Sequence, residues 1–230
     1  MKNQIITKGI VLARTDFQEA DRILTLLTPD HGKLRMIAKG VRRPRSKLAG
    51  GIELLSVSDI SVLPGRGELG TLVSTRLITH YGQIVTDLHR TMLAYDILKR
   101  LNKLTEDVVG EEYFDLLQAA LEGLNDLGLD VDLAELWFVM QLLDITGHVP
   151  NLVTDAQGKK LLPDQTYQFD YDAIAFVPTL EGAYNPGHVK LLRLCLVAKS
   201  PLPLKQIKDS EKYGSSLLNL ASTLQNHFLA

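Results

Sequence analysis

The sequence is poor in cysteine: Cys195 is the only one among 230 residues. A single thiol excludes an internal disulfide and any zinc site built from several cysteines, and it is typical of a reducing cytosol. No apolar run approaches the roughly 18 residues of a membrane span. The N-terminal stretch does not resemble a signal peptide, because Thr7 and Lys8 interrupt its apolar residues. We therefore expect a cytoplasmic protein with no membrane segment, no metal and no cofactor.

Aromatic residues are almost missing from the first third of the chain, where Phe17 is the only one in residues 1–80. Domains that hold single-stranded nucleic acid by base stacking usually present several aromatic side chains. Any binding of DNA by this region should therefore be mainly electrostatic, sensitive to salt and indifferent to base sequence.

Acidic residues are missing from the stretch AKGVRRPRSKLAG, Ala38–Gly50. The whole chain has a net charge of −2, but residues 1–85 contain 13 basic and 7 acidic residues and are therefore basic. The stretch could be a solvated loop, a targeting tag or a phosphate-binding segment. It follows a strand whose basic residues alternate with apolar ones, which favours phosphate binding. The candidate phosphate contacts are Lys33, Arg35, Lys39, Arg42, Arg43, Arg45, Lys47, Arg66 and Arg76.

Five stretches of the first 80 residues have the composition of β-strands. They read IITKGIVLAR, RILTLL, KLRMIAKGV, ELLSVSDISVLP and ELGTLVSTRLIT, and turn residues such as those of TPDHG and PGRG separate them. Five short antiparallel strands suit a small closed barrel. The sequence thus predicts a five-stranded OB-fold in a first domain, residues 1–82.

The periodicity becomes helical from residue 84 onward. In the first helical stretch Leu88, Met92, Tyr95 and Leu98 are spaced by four, three and three residues along one helical face, which is typical of a helix. Residues 148–187 lose this periodicity and suggest an irregular insertion with short strands. The predicted fold is therefore α+β: an OB-fold barrel followed by an α-helical domain, residues 83–230, that contains the insertion.

Gly65–Gly70 matches the GxGxxG pattern of dinucleotide-binding loops. That fingerprint requires a helix after the loop, whereas the strand-like TLVSTRLIT follows here, which indicates a hairpin turn. No Walker A loop, G-x-S-x-G or H-E-x-x-H occurs. We expect no catalytic residue, although a hydrolase built from scattered Ser, His and Asp residues stays an alternative.

An extended pattern covers about 70 residues of the N-terminal part. It comprises Gly9-Ile10-Val11-Leu12, Glu19-Ala20-Asp21-Arg22, His31-Gly32-Lys33, Ala38-Lys39-Gly40, the basic loop closed by Ser46, and Gly65-Arg66-Gly67-Glu68-Leu69. In order and spacing this pattern resembles the N-terminal domain of the bacterial DNA repair protein RecO family. The remainder is similar more weakly, through Leu142-Leu143, Gly147 and Pro150.

The resemblance implies a non-enzymatic protein that binds single- and double-stranded DNA and anneals complementary strands. It further implies contacts with single-strand-binding protein and with RecR, and through them help in loading the RecA recombinase. Many relatives carry a Cys-x-x-Cys zinc-binding insertion after the Gly147–Pro150 region, where this chain reads TDAQGK. The insertion is therefore expected to be a degenerate, zinc-finger-like one. An OB-fold adaptor for RNA or for a protein partner is the alternative function.

Overall fold

The computed structural model describes residues 4–65, 67–105 and 110–229. The chain packs into two compact units that divide between Asn125 and Asp126. The predicted change from strands to helices at residue 82 thus lies inside the first unit. Whether residues 1–82 fold as a domain of their own stays a prediction.

Five strands form a closed barrel in the first unit, which confirms the predicted OB-type architecture. Around the barrel the order is β1-β2-β3-β5-β4, and antiparallel pairing of β1 with β4 completes the ring. β3 and β5 are the parallel neighbours, and they pair through only three residue pairs, Arg35 to Ile37 with Leu69 to Thr71. The strands are β1 (Ile5–Phe17), β2 (Asp21–Thr28), β3 (Gly32–Ala38), β4 (Ser56–Leu63) and β5 (Leu69–His80).

Alternation of inward and outward side chains fills the barrel. Inward positions carry branched and sulfur-containing apolar residues, which pack well on a pleated surface. The barrel core contains Val11, Leu24, Leu26, Met36, Ala38, Val41, Ile52, Ile60, Val62 and Leu72. The segment containing Gly65–Gly70 connects β4 to β5, which pair as antiparallel neighbours, so the hairpin interpretation is confirmed.

Two helices follow the barrel in the first unit, α1 (Leu88–Leu104) and α2 (Glu111–Asn125). α1 begins at Asp87, whose side chain accepts a hydrogen bond from the Arg90 backbone N–H, as an N-cap does. α1 contacts β1 and α2 contacts β2. The stretch is helical as predicted, but three of the four residues at this spacing are not part of its buried face: Leu88, Met92 and Tyr95 are 70%, 63% and 45% exposed. The buried face is instead formed by Leu93, Ala94, Ile97, Leu98 and Leu101.

The second unit is built around α3, whose residues from Leu136 to Met140 are all buried. α3 contacts both α4 and α5. A hairpin of β6 and β7 lies within the irregular insertion. The elements of this unit are α3 (Val131–Ile145), β6 (Thr166–Asp170), β7 (Ala175–Thr179), α4 (Pro186–Val197) and α5 (Ser210–Leu229).

The insertion is held together by a carboxylate and by aromatic packing. Buried Asp155, in the stretch TDAQGK, accepts hydrogen bonds from the backbone N–H groups of Gln157 and Lys159, both at 2.9 Å. Phe169 and Phe176 meet edge to face across the hairpin, with ring centroids 5.1 Å apart. These contacts order the segment. A zinc-finger-like origin for it stays a prediction. Within the described residues, no helix combines the length and the apolarity needed to cross a membrane.

Candidate nucleic-acid interface

The basic loop, residues 39–47, connects β3 to a short 3₁₀ turn and presents its cations to solvent. Two successive backbone bonds shape it, from Arg43 N–H to the Gly40 carbonyl at 3.1 Å and from Ser46 N–H to the Arg43 carbonyl at 3.0 Å. Exposed side chains on such a turn can approach a phosphate backbone without displacing other parts of the fold. The exposed cations of the loop are Lys39, Arg42, Arg43, Arg45 and Lys47.

The first half of the loop is fastened to the turn between β1 and β2. The Asp21 carboxylate accepts a hydrogen bond from the Gly40 N–H at 2.7 Å, and the Ala20 carbonyl accepts one from the Arg42 N–H at 2.9 Å. Between these two anchors, Val41 is buried in the barrel core. The loop therefore has a defined path although most of its side chains are exposed.

Arg42 differs from the other cations of the loop because its guanidinium also contacts the hairpin. Its Nε lies 3.5 Å from the carboxylate of Asp16, which also accepts a 2.8 Å hydrogen bond from Arg22 Nε. The Arg22 hydrogen bond and the nearby charges of Arg42 and Arg22 lower the pKa of Asp16, so this carboxylate stays ionised at neutral pH. Arg42 is therefore both a candidate phosphate ligand and a link between the loop and the hairpin.

Lys33 and Arg35 alternate on β3 with apolar positions, but their surroundings differ. Lys33 is half-buried and its Nζ donates to the carbonyl of Asn102 in α1 at 2.8 Å. Arg35 is exposed, and its guanidinium has no hydrogen-bonding or ion-pair partner among the residues that the structure describes. Because Lys33 is engaged with the last turn of a helix, we expect it to contribute less to phosphate binding than Arg35.

Arg76 lies on β5, opposite Asp59 of the neighbouring strand β4. Its guanidinium Nε and Nη2 atoms are 3.1 and 2.5 Å from one carboxylate oxygen of Asp59. A phosphate would have to compete with this carboxylate for Arg76. Arg66, also predicted to touch phosphate, lies outside the described residues. The cations of the loop thus lie on one segment, whereas Arg76 lies on β5, the neighbour of β3 in the barrel, and its guanidinium is paired with Asp59.

Arg14 and Arg22 were not among the predicted contacts, yet they lie on the hairpin that supports the loop. Arg14 Nη1 is 2.7 Å from a Glu53 carboxylate oxygen, and Arg22 is bound to Asp16. In the β1–β2 ladder Arg14 pairs with Leu24 and Asp16 pairs with Arg22. The signal in the sequence was the two-residue spacing of Arg14 and Asp16, which places both on one side of β1.

Asn185, His188 and Ser216 in the second unit have an arrangement like a hydrolase triad. His188 Nε2 lies 3.0 Å from Ser216 Oγ, and His188 Nδ1 lies 3.1 Å from the backbone nitrogen of Asn185. The Ser216 hydroxyl donates to the Tyr213 carbonyl at 3.0 Å, so Ser216 Oγ accepts from the Nε2–H of the neutral ring, and Nδ1 accepts from the Asn185 backbone N–H. A general base needs an unprotonated Nε2 facing the serine. We therefore assign His188 a structural role and not a catalytic one. It is the residue that pairs with the N-cap residue Asn185 in the capping box of α4.

This capping role predicts a pH dependence of stability. Burial, with a smaller contribution from Lys212, lowers the pKa of His188 below its ordinary value of 6.5. The unfolded chain then binds a proton more readily than the folded one, so the stability due to His188 is complete above the unfolded pKa and is lost as pH falls toward the folded pKa. Between about pH 7.5 and pH 5, we expect the thermal midpoint to drop further in the wild type than in a His188→Gln variant. Parallel pH profiles would contradict this assignment.

Cys195 on α4 is buried, and burial raises the pKa of its thiol to about 12. The thiol is therefore protonated at neutral pH, whereas zinc binds the thiolate. Within residues 4–65, 67–105 and 110–229, no three His, Cys, Asp or Glu side chains form a group that could hold a metal ion. The absence of zinc from the protein stays a prediction.

Two family models match the chain over nearly its whole length. The model described as "Recombination protein O N terminal" matches residues 1–81, and "Recombination protein O C terminal" matches residues 85–211. The chain belongs to the RecO family. Its membership points to a role in DNA repair and recombination, and the predicted resemblance is confirmed.

Several curated RecO proteins are similar to this chain, each named "DNA repair protein RecO". The one from a Roseiflexus species is 30% identical over 220 residues, 95% of this chain and 73% of that protein. The one from Moorella thermoacetica is 33% identical over 185 residues, 79% and 66% respectively. The one from Dehalococcoides mccartyi strain 195 is 32% identical over 163 residues, 70% and 64%. The matched region thus spans about two thirds to three quarters of these RecO proteins.

Proposed function

We propose that this RecO-family protein is a non-enzymatic, cytoplasmic recombination mediator. It binds single- and double-stranded DNA, anneals complementary strands and helps to load a recombinase on DNA covered by single-strand-binding protein. The observation that carries the proposal is the ordered loop of exposed cations on an OB-type barrel. Membership of the RecO family supplies the biological setting.

The proposed mechanism of annealing is charge neutralisation. Two DNA strands repel each other through their phosphates, and cations bound to both backbones reduce this repulsion. Arg43, Arg45 and Lys47 have no acidic partner among the described residues, so they can bind phosphate without breaking an internal ion pair. Base pairing between the strands then supplies the sequence specificity, and no side chain has to act as an acid, a base or a nucleophile.

The proposed protein partners are single-strand-binding protein and RecR, with RecA reached indirectly. The resemblance to RecO proteins supports them, and we place the contact with single-strand-binding protein on the helical part of the chain. Annealing and partner binding would then depend on different surfaces, which makes them separable by substitution.

The salt dependence of DNA binding tests the electrostatic part of the proposal. About six phosphate contacts, from the loop and from Arg35, should give a slope of log K against log[salt] of about −4 to −5. The measurement is fluorescence anisotropy of a labelled oligonucleotide titrated at several salt concentrations. A slope near zero would refute the proposal, and stronger competition by structured RNA than by DNA would favour an RNA-binding adaptor instead.

Annealing itself is tested with two complementary labelled oligonucleotides. We expect the protein to raise the annealing rate of naked strands and of strands covered by single-strand-binding protein. If the protein accelerates the annealing of naked strands but not of covered strands, the proposed annealing activity is supported and the proposed mediator role is contradicted.

A further inference from the structure

The basic loop reverses direction at Gly40, and the support for this reversal comes from the turn between β1 and β2. Gly40 has a φ of +65°, a left-handed conformation that glycine adopts readily. In this position its N–H points to Asp21, whose Oδ1 accepts it at 2.7 Å. The Asp21 carboxylate thus binds the backbone at Gly40, the residue at which the loop changes direction.

Two further contacts fix Val41 and Arg42, the residues that follow Gly40. The Arg42 N–H donates to the Ala20 carbonyl at 2.9 Å, and Val41 is buried beneath the loop. The acceptor is a carboxylate oxygen, and hydrogen bonds to charged acceptors are stronger than those between neutral groups. A loop that is ordered before DNA arrives loses less conformational entropy when it binds phosphate.

We propose that Asp21 is a positioning residue for phosphate binding, and that it acts as a hydrogen-bond acceptor for the loop in spite of its negative charge. This inference rests on the proposed DNA-binding function. The two properties of the side chain have opposite effects: the accepted hydrogen bond orders the loop, whereas the charge repels DNA. Substitutions can therefore separate them.

Asp21→Asn keeps an oxygen that can accept the Gly40 N–H and removes the charge. Asp21→Ala removes both. Glu19 provides the matched control, because it is an exposed acidic residue of the same turn with no hydrogen-bonding partner among the described residues. Glu19→Gln and Glu19→Ala remove the same charge and no bond to the loop.

The test measures the Kd for a labelled single-stranded oligonucleotide of mixed sequence at several salt concentrations. We expect Asp21→Asn to bind as tightly as the wild type or up to about threefold more tightly, because one repulsive charge is gone. Asp21→Ala should bind about tenfold more weakly than Asp21→Asn, with a similar salt slope, since the phosphate contacts are disordered in the free protein but not deleted. The two Glu19 variants should agree with each other.

A second readout on the protein without DNA reports the order of the loop. Trypsin cleaves after Arg and Lys, and we expect it to cut between residues 39 and 47 faster in Asp21→Ala than in Asp21→Asn or the wild type. If Asp21→Ala does not fold, Asp21→Ser takes its place in both measurements, since it also removes the charge and its shorter side chain weakens the bond to Gly40.

Equal affinities for Asp21→Ala and Asp21→Asn would overturn the positioning role and leave only a charge effect. Weaker binding by Asp21→Ala without faster cleavage of the loop would also overturn it. Failure of the wild type to bind DNA with a salt-dependent Kd would instead refute the proposed function, and the cleavage rates would still report whether Asp21 orders the loop.

Discussion

The triple variant Arg42→Ala, Arg43→Ala, Arg45→Ala is expected to lose most DNA binding and annealing at moderate salt. Each lost phosphate contact removes about 0.7 to 0.9 from the salt slope, so the slope should flatten by about two to three units. If affinities converge near 1 M salt, this change corresponds to roughly a 100-fold or greater loss at 0.1 M. The measurement is oligonucleotide anisotropy across a salt series, with the annealing rate as a second readout.

Folding of the triple variant should be nearly intact. All three side chains are exposed, and substitutions at exposed sites usually have small effects on stability. Arg42 also contacts Asp16 and the Gln18 carbonyl, so we expect a decrease in thermal midpoint of no more than about 4 °C. A much larger decrease would show that the loop is mainly structural.

The matched control removes three exposed cations from the second unit, by substituting Lys199, Lys208 and Lys212 with alanine. The change in net charge is the same, so a general attraction of DNA to a more positive protein would be reduced equally in both variants. We expect the control to change the Kd by less than about threefold at 0.1 M salt, because long-range attraction is screened. Equal losses in the two triple variants would contradict a binding site on the basic loop.

Trp137→Ala is expected to have the largest effect on stability. The side chain is 2% exposed in α3, and its Nε1 donates to the Ala198 carbonyl at 2.9 Å. Truncating a buried tryptophan leaves a large cavity, so the free energy of unfolding of the second unit should decrease by about 3 to 5 kcal/mol. Urea denaturation followed by circular dichroism measures this change.

Two further variants separate the contributions of Trp137. Trp137→Phe keeps most of the apolar volume but loses the hydrogen bond, and we expect a smaller decrease of about 1 to 3 kcal/mol. Val197→Ala changes an apolar side chain of α4 that is 76% exposed, and it should alter stability by less than about 0.5 kcal/mol. Similar denaturation curves for Trp137→Ala and Val197→Ala would refute the assignment of Trp137 to the core.

The barrel could be predicted from the sequence because its strands are rich in β-branched and apolar residues and are separated by turn residues such as those of TPDHG. In β3 the apolar residues Leu34 and Met36 also alternate with Lys33 and Arg35. Which cations are free could not be predicted, because this depends on partners distant in sequence. Asn102 is 69 residues from Lys33, and Asp59 is 17 residues from Arg76.

Which face of α1 is buried could not be predicted for a similar reason. Leu88, Met92 and Tyr95 form one apolar stripe at helical spacing, and Leu93, Ala94, Ile97 and Leu101 form another. Periodicity identifies the helix but does not decide between two apolar faces. In the structure Arg90 of α1 is buried, and its guanidinium donates to the Leu124 carbonyl of α2 at 3.0 Å. The position of this hydrogen bond shows which side of α1 faces its neighbour.

The short parallel seam between β3 and β5 is expected to form after the hairpins of the barrel. β1, β2 and β3 are joined by tight turns, so their hairpins can form early, whereas Arg35 and Leu69 are 34 residues apart and must meet across a long stretch of chain. At Gly70 a methyl group would lie 2.8 Å from Val62 Cγ1, so β5 approaches β4 closely where the seam closes. We expect the seam to close late in folding. Because the basic loop leaves β3 shortly after Ile37, which pairs with Thr71, the proposed DNA-binding surface would then reach its final form only when the seam closes.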